Sequence, residues 1–190
     1  MDYKQKARLI FGIILIFLAF FYFLSRYNVL FLVAGSIFSV IIFFLADYFM
    51  GWDFNIWHYL AFFIMVVQGV LLMPLYFMGT SIDKYQHFIF PILTCFLIYH
   101  IIRKMDLSRN DKLWITLTIL ISTITLFEIY EYVADYFWNV KFQGVYSGSW
   151  VEQQFTLIMP RIDDTMVDLM IGIAGGITFV LGMILFKKSK

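Results

Sequence analysis

The sequence predicts an all-α protein: a polytopic transmembrane helical bundle of about six spans, with both termini on the cytoplasmic side. Three observations carry this. Hydrophobic residues make up 62% of the chain and charged residues 14%, whereas a soluble domain has about 25% charged residues. The apolar residues fall into long runs separated by polar or turn-like breaks. Lysine and arginine are divided unevenly among those breaks.

The runs cover residues 9–24, 29–50, 54–78, 85–102, 113–138 and 165–186. Every backbone polar group must be satisfied within the lipid, so runs of this length are helices. Together they make one transmembrane domain over residues 1–190. The first run follows Lys4, Lys6 and Arg8 and so resembles a signal peptide. It has spanning length, however, and Ser25-Arg26-Tyr27-Asn28 lacks a small-x-small cleavage pattern, so an uncleaved span is expected.

With the N-terminus inside, the inner segments hold Lys4, Lys6, Arg8, Arg103, Lys104, Arg109, Lys112, Lys187, Lys188 and Lys190. The outer segments hold only Arg26, Lys84, Lys141 and Arg161. This is the positive-inside asymmetry, which sets the orientation; a multi-pass protein of the plasma (inner) membrane is expected. Lipid bilayer is the expected partner and nucleic acid is not. The oligomeric state is left open. Cys95 is the only cysteine and lies in an apolar run, so neither an intramolecular disulfide nor a cysteine metal site is expected.

Ionisable side chains inside spans are costly and mark function by default. Here they cluster. Asp83 and His87 are i, i+4 at the outer end of the fourth span. Glu128, Glu131 and Asp135 are i, i+3, i+7 on the fifth. Asp164 and Asp168 are i, i+4 on the sixth. Glu131 lies about 10 Å below Trp138 at about 1.5 Å rise per residue, level with His87 and Asp168. With Asp163, the set takes seven of the thirteen acids, while only Asp47 and Asp53 lie near an inner end. One outward-opening pocket is therefore expected, closed toward the cytoplasm by aromatic packing, with Asp135 and Asp163 at its rim.

So many carboxylates cannot all ionise together; protons, a metal or Lys and Arg must neutralise them. Asp83, His87, Glu128, Glu131, Asp164 and Asp168 are the candidate catalytic residues, with Asp83 orienting His87. A carboxylate and imidazole set suits a divalent metal (Zn, Mn, Fe or Mg) held by His87, Glu128, Glu131, Asp164 and Asp168. Such an ion would polarise a phosphoryl oxygen or activate water. Arg161 and Lys84 are candidates for binding an anionic substrate. Three functions fit: an envelope enzyme acting on a lipid-linked or phosphate-bearing substrate, a proton-coupled transporter, or a non-enzymatic binding or assembly protein whose acids form a structural network. For Asp83, Asp163 and Asp164 the plain alternative is helix capping; it does not explain Glu128 and Glu131, deep in their span.

Elsewhere, His58 and His100 are expected to snorkel or to bond backbone. Gln68 is placed to hydrogen-bond between helices, Pro74 and Pro91 to kink theirs. Gly172, Gly175, Gly176 and Gly182 read as a close-packing face. Segment 139–164 is a long loop with aromatic content, expected to form a lid or interfacial segment over the acids.

The motifs Asp83-Lys84-Tyr85-Gln86-His87-Phe88, Glu128-Ile129-Tyr130-Glu131 and Arg161-Ile162-Asp163-Asp164, in this order before a glycine-rich helix, resemble those of the VanZ-like family of envelope proteins. Glu131 stands where that family has Gln, and Asp168 where it has Asn. Both departures bring the chain nearer the YjdF-type family of inner-membrane proteins. Its Asp-Thr-x-x-Asp pattern is met by Asp164-Thr165-Met166-Val167-Asp168, while Tyr132 stands where Trp is usual. The resemblance covers spans four to six. It implies a membrane location and the acidic cluster as the site, and supplies no reaction. VanZ-like proteins are associated with resistance to the glycopeptide teicoplanin.

Overall fold

A computed structural model describes residues 12–13, 30–71, 76–77, 80–138, 142–149 and 154–186. Among them the chain is mostly helical. It divides into two compact units, Met1–Pro74 and Leu75–Lys190. Of the expected first span only Gly12 and Ile13 are described, and both are helical. The rest of that span lies outside the described residues, as does Pro74.

The first unit holds α1 (Leu30–Met50) and α2 (Ile56–Leu71). Gly51 ends α1 at φ 60°, a left-handed conformation that glycine adopts without penalty. Asn55 then caps α2: its Oδ1 accepts the N–H of Trp57 at 3.0 Å. In return, Nδ1 of His58 accepts the backbone N–H of Asn55 at 3.1 Å. This is a reciprocal capping box with histidine in the place usually taken by Glu or Gln. Tyr59 donates its hydroxyl to Asp47, inside an aromatic cluster where Phe43 stacks on Phe62 at 3.9 Å between centroids and on Phe54 at 5.2 Å.

The third span was expected over residues 54–78, but α2 ends at Leu71 and Tyr76–Phe77 form a short strand, β1. Residues 72–75, with Pro74, lie outside the described residues. β1 pairs antiparallel with β2 (Thr80–Ser81), which leads directly into α3.

The second unit is built on α3 (Ile82–Ile102), α4 (Arg109–Trp138) and α5 (Arg161–Leu185). Among the described residues these three helices are long and apolar enough to cross a membrane. Six spans were expected. Shorter apolar helical stretches, Ser36–Met50 and Ile56–Val66, lie in α1 and α2. Ser108 caps α4, accepting the N–H of Asp111 at 3.2 Å and donating to Asp111 Oδ2 at 2.7 Å. Arg109 donates to the carbonyl of Met183 near the end of α5, and Lys112 to that of Arg103 at 3.0 Å. Cations thus serve carbonyls that helix ends leave without partners.

Small residues set how closely these helices approach. A Cβ on Gly175 would stand 2.3 Å from the carbonyl oxygen of Phe88, and one on Gly176 2.4 Å from Leu120 Cδ2. One on Gly172 would meet Ile124 Cδ1 at 3.1 Å. Among the described residues nothing lies within 4 Å of a Cβ placed on Gly182, so there the packing face is carried by the other three glycines. Pro91 is buried inside α3 and has no N–H for the carbonyl of His87, four residues earlier. That carbonyl faces α5 at Gly172. The layer below is Cys95, Leu117 and Leu120, with Ile98, Ile124, Phe179 and Val180 against it. This layer is mainly aliphatic, and Phe179, which packs on it, meets Tyr99 edge-on at 6.0 Å between ring centroids.

Segment 139–164 is also ordered differently from a simple loop. β3 (Val145–Ser149) and β4 (Gln154–Met159) form an antiparallel hairpin, and Arg161–Asp164 already belong to α5.

Candidate functional site

Helical spacing puts Asp83, Lys84 and His87 on the first two turns of α3, Glu128, Glu131 and Asp135 on α4, and Asp164 and Asp168 on the first two turns of α5. The glycine contacts bring α3 and α5 backbone to backbone just below, so these side chains meet. Glu128, Glu131, Asp135, Asp164 and Asp168 are all buried, and so is Lys84.

Lys84 is the centre of one half. Its Nζ donates to Asp164 Oδ1, to Asp168 Oδ1 at 2.7 Å and Oδ2 at 2.6 Å, and stands 3.4 Å from Asp83 Oδ2. It was expected to bind an anionic substrate; its donors are taken by the protein's own acids.

His87 is the centre of the other half. Nε2 lies 3.5 Å from Asp83 Oδ1 and 3.9 Å from Asp168 Oδ2. Nδ1 lies 3.7 Å from Glu128 Oε1. These separations exceed the usual N–H···O range of about 2.7–3.2 Å. Glu128 Oε2 is buried and meets no donor among the described residues. Glu131 lies where it feels the charges of Glu128, Asp83, Asp168 and Asp164. Glu128, Glu131, Asp164 and Asp168 are buried with Asp83 beside them, and these acids outnumber Lys84 and His87, an excess that protons or a bound cation must offset.

The donor set fits a divalent ion. Asp83, His87 and Asp168 each offer one ligand atom, all within 4.8 Å of one another. Metal–ligand bonds of about 2.0–2.2 Å at tetrahedral angles separate ligand atoms by about 3.3–3.6 Å, close to the His87 contacts. Of the residues expected to hold a metal, His87 and Asp168 stand in this group, with Glu128 beside it. Asp164 is turned to Lys84 and to the N–H of Gly144, which it accepts on Oδ2 at 2.7 Å. Asp83, read as an orienting residue, supplies the third ligand atom.

The strap 142–144 lies against the acids. Asp135 was expected at a wet rim, yet it is buried because it accepts the backbone N–H groups of Phe142 at 2.7 Å and Gln143 at 3.1 Å. Gln143 donates through Nε2 to Thr165 Oγ1 at 2.8 Å and to the Glu128 carbonyl at 3.3 Å. Arg161 is part-exposed, its Nε 3.9 Å from Asp135 Oδ2. Asp163 is exposed. Gln143 and Thr165 were missed from sequence: a lone Gln in a loop and a Thr between two acids carry no spacing signal.

Comparison with protein-family models, with curated proteins and with solved structures finds no match.

Proposed function

We propose that the chain is a multi-pass membrane protein of the cell envelope, six spans with N- and C-termini cytoplasmic, and that its site is an outward-facing catalytic centre for a lipid-linked or phosphate-bearing substrate, assisted by a divalent metal. One observation carries this reading: Asp83 and Asp168 face Nε2 of His87 at 3.5 and 3.9 Å, the three offering ligand atoms within 4.8 Å of one another, while Glu128 faces Nδ1 at 3.7 Å with its other oxygen buried and meeting no donor among the described residues. Positive-inside counting supports the orientation, and the three long apolar helices support membrane embedding. The motif order shared with the VanZ-like and YjdF-type families supports the same choice of residues.

Asp83, His87 and Asp168 would hold the ion, which when bound supplies Lewis-acid charge to a phosphoryl oxygen. Glu128 Oε2 would accept the proton of a water whose oxygen bonds phosphorus as the phosphorus–oxygen bond to the lipid breaks, the lipid oxygen leaving with a proton from solvent. Lys84 keeps Asp164 and Asp168 in place. Arg161, part-exposed at the start of α5, binds the anionic group as it enters.

The test is release of phosphate from phosphorylated lipids by the full chain in lipid nanodiscs with Mn²⁺ or Zn²⁺. Release is expected from the wild type and its loss from Glu128→Gln and Asp168→Asn. Absence of release with every divalent metal and phosphorylated lipid tried would overturn the enzymatic reading.

The Lys84 ion pairs favour a second reading, a structural network that fixes helix register. Under it, Glu128→Gln and His87→Gln would leave cellular function unchanged wherever they leave folding unchanged.

A further inference from the structure

Lys84 stands on the carboxylate that the ion would need. We propose that Lys84 and a divalent cation compete for Asp168, so that cation binding moves the ammonium from Asp168 onto Asp164. The proposal rests on the reading of Asp83, His87 and Asp168 as ligands.

The geometry forces the competition. Nζ lies 2.6 Å from Asp168 Oδ2, the oxygen that faces His87 Nε2 at 3.9 Å. An ion bonded to that oxygen at about 2.1 Å would stand no more than about 4.7 Å from Nζ. Both cations are buried, where repulsion is weakly screened. Rotating Asp168 brings no relief, because Lys84 also holds Oδ1 at 2.7 Å.

Lys84 has somewhere to go. Asp164 Oδ1 already accepts from Nζ, and Asp164 is fixed from behind by the Gly144 N–H on Oδ2. The lysine stem is flexible and its ammonium is a point charge without fork geometry. Withdrawal onto Asp164 keeps a full ion pair and frees both Asp168 oxygens. The site therefore exchanges one cation for another, and Lys84 lowers metal affinity without touching the metal.

The test is calorimetric titration of Mn²⁺ into the full chain in detergent. Lys84→Met should tighten binding by about tenfold or more, while Lys84→Arg, whose fork keeps the charge on both Asp168 oxygens, should not tighten it. Equal affinity in wild type and Lys84→Met would overturn the competition and leave the metal reading standing. Binding by Lys84→Met alone would uphold the competition and show that Lys84 excludes Mn²⁺ from the natural protein. Binding by neither would overturn both. If Lys84→Met folds only with an ion, Mn²⁺ must restore it and must fail to restore the Lys84→Met/His87→Gln double variant; no restoration overturns the proposal.

Discussion

The ammonium of Lys84 takes both oxygens of Asp168, at 2.6 and 2.7 Å. Two helices distant in sequence are thereby joined at the level where α4 adds Glu128 and Glu131. The pair is buried, so its loss has consequences that a surface pair lacks.

Lys84→Met should destabilise the detergent-solubilised protein by about 3–5 kcal/mol, because it strands Asp164 and Asp168 without their cation. Arg161→Ala should lose only about 0–1 kcal/mol, since that side chain is 44% exposed beside Asp135. Chemical denaturation of both variants, with divalent ions chelated, measures the difference. Equal losses would contradict the central place given to Lys84.

Gly175→Ala should destabilise by about 1–3 kcal/mol through overpacking against the Phe88 carbonyl, where its Cβ would fall at 2.3 Å. Gly182→Ala should stay within about 0.5 kcal/mol, as it meets open space. Thermal unfolding followed by circular dichroism checks the pair.

Gln143→Ala removes the donor to Thr165 and to the Glu128 carbonyl. A loss of about 1–3 kcal/mol is expected from the groups left unsatisfied. Hydrogen exchange should rise in the hairpin 145–159 and not in α1. Unchanged exchange in the hairpin would show that the strap is held by other contacts.

The proposed topology predicts labelling. On a Cys95→Ala background, Lys141→Cys should react with an impermeant maleimide in intact cells, and Lys104→Cys only after permeabilisation. The reverse pattern would invert the orientation.

The acids, histidine and glycines were legible because helical periodicity and depth reduce to sequence spacing once a run is long and apolar. That logic ranked Asp164 with Asp168, although the first is turned to Lys84 and Gly144 and the second also faces His87. Which carboxylate meets Lys84 depends on helix rotation, and spacing does not encode it. Asp135 read as a rim residue because its partners are backbone N–H groups of Phe142 and Gln143, which any sequence offers. His58 read as a snorkelling or backbone-bonded group; it bonds the backbone of Asn55 and is buried against the Phe54 ring at 5.2 Å. The expected third span reached residue 78 because hydropathy continues there, although Tyr76–Phe77 pair as a strand with Thr80–Ser81.

The account's central claim is that His87 lies in a divalent-cation site. The chain has three histidines, so the nitrogen signal of a bound paramagnetic ion can be assigned by substitution. Electron spin-echo modulation of Mn²⁺ bound to the full chain should show one imidazole nitrogen. The signal should vanish in His87→Gln and persist in His58→Gln and His100→Gln. Mn²⁺ that does not bind, or a nitrogen signal that survives in His87→Gln, would contradict the claim.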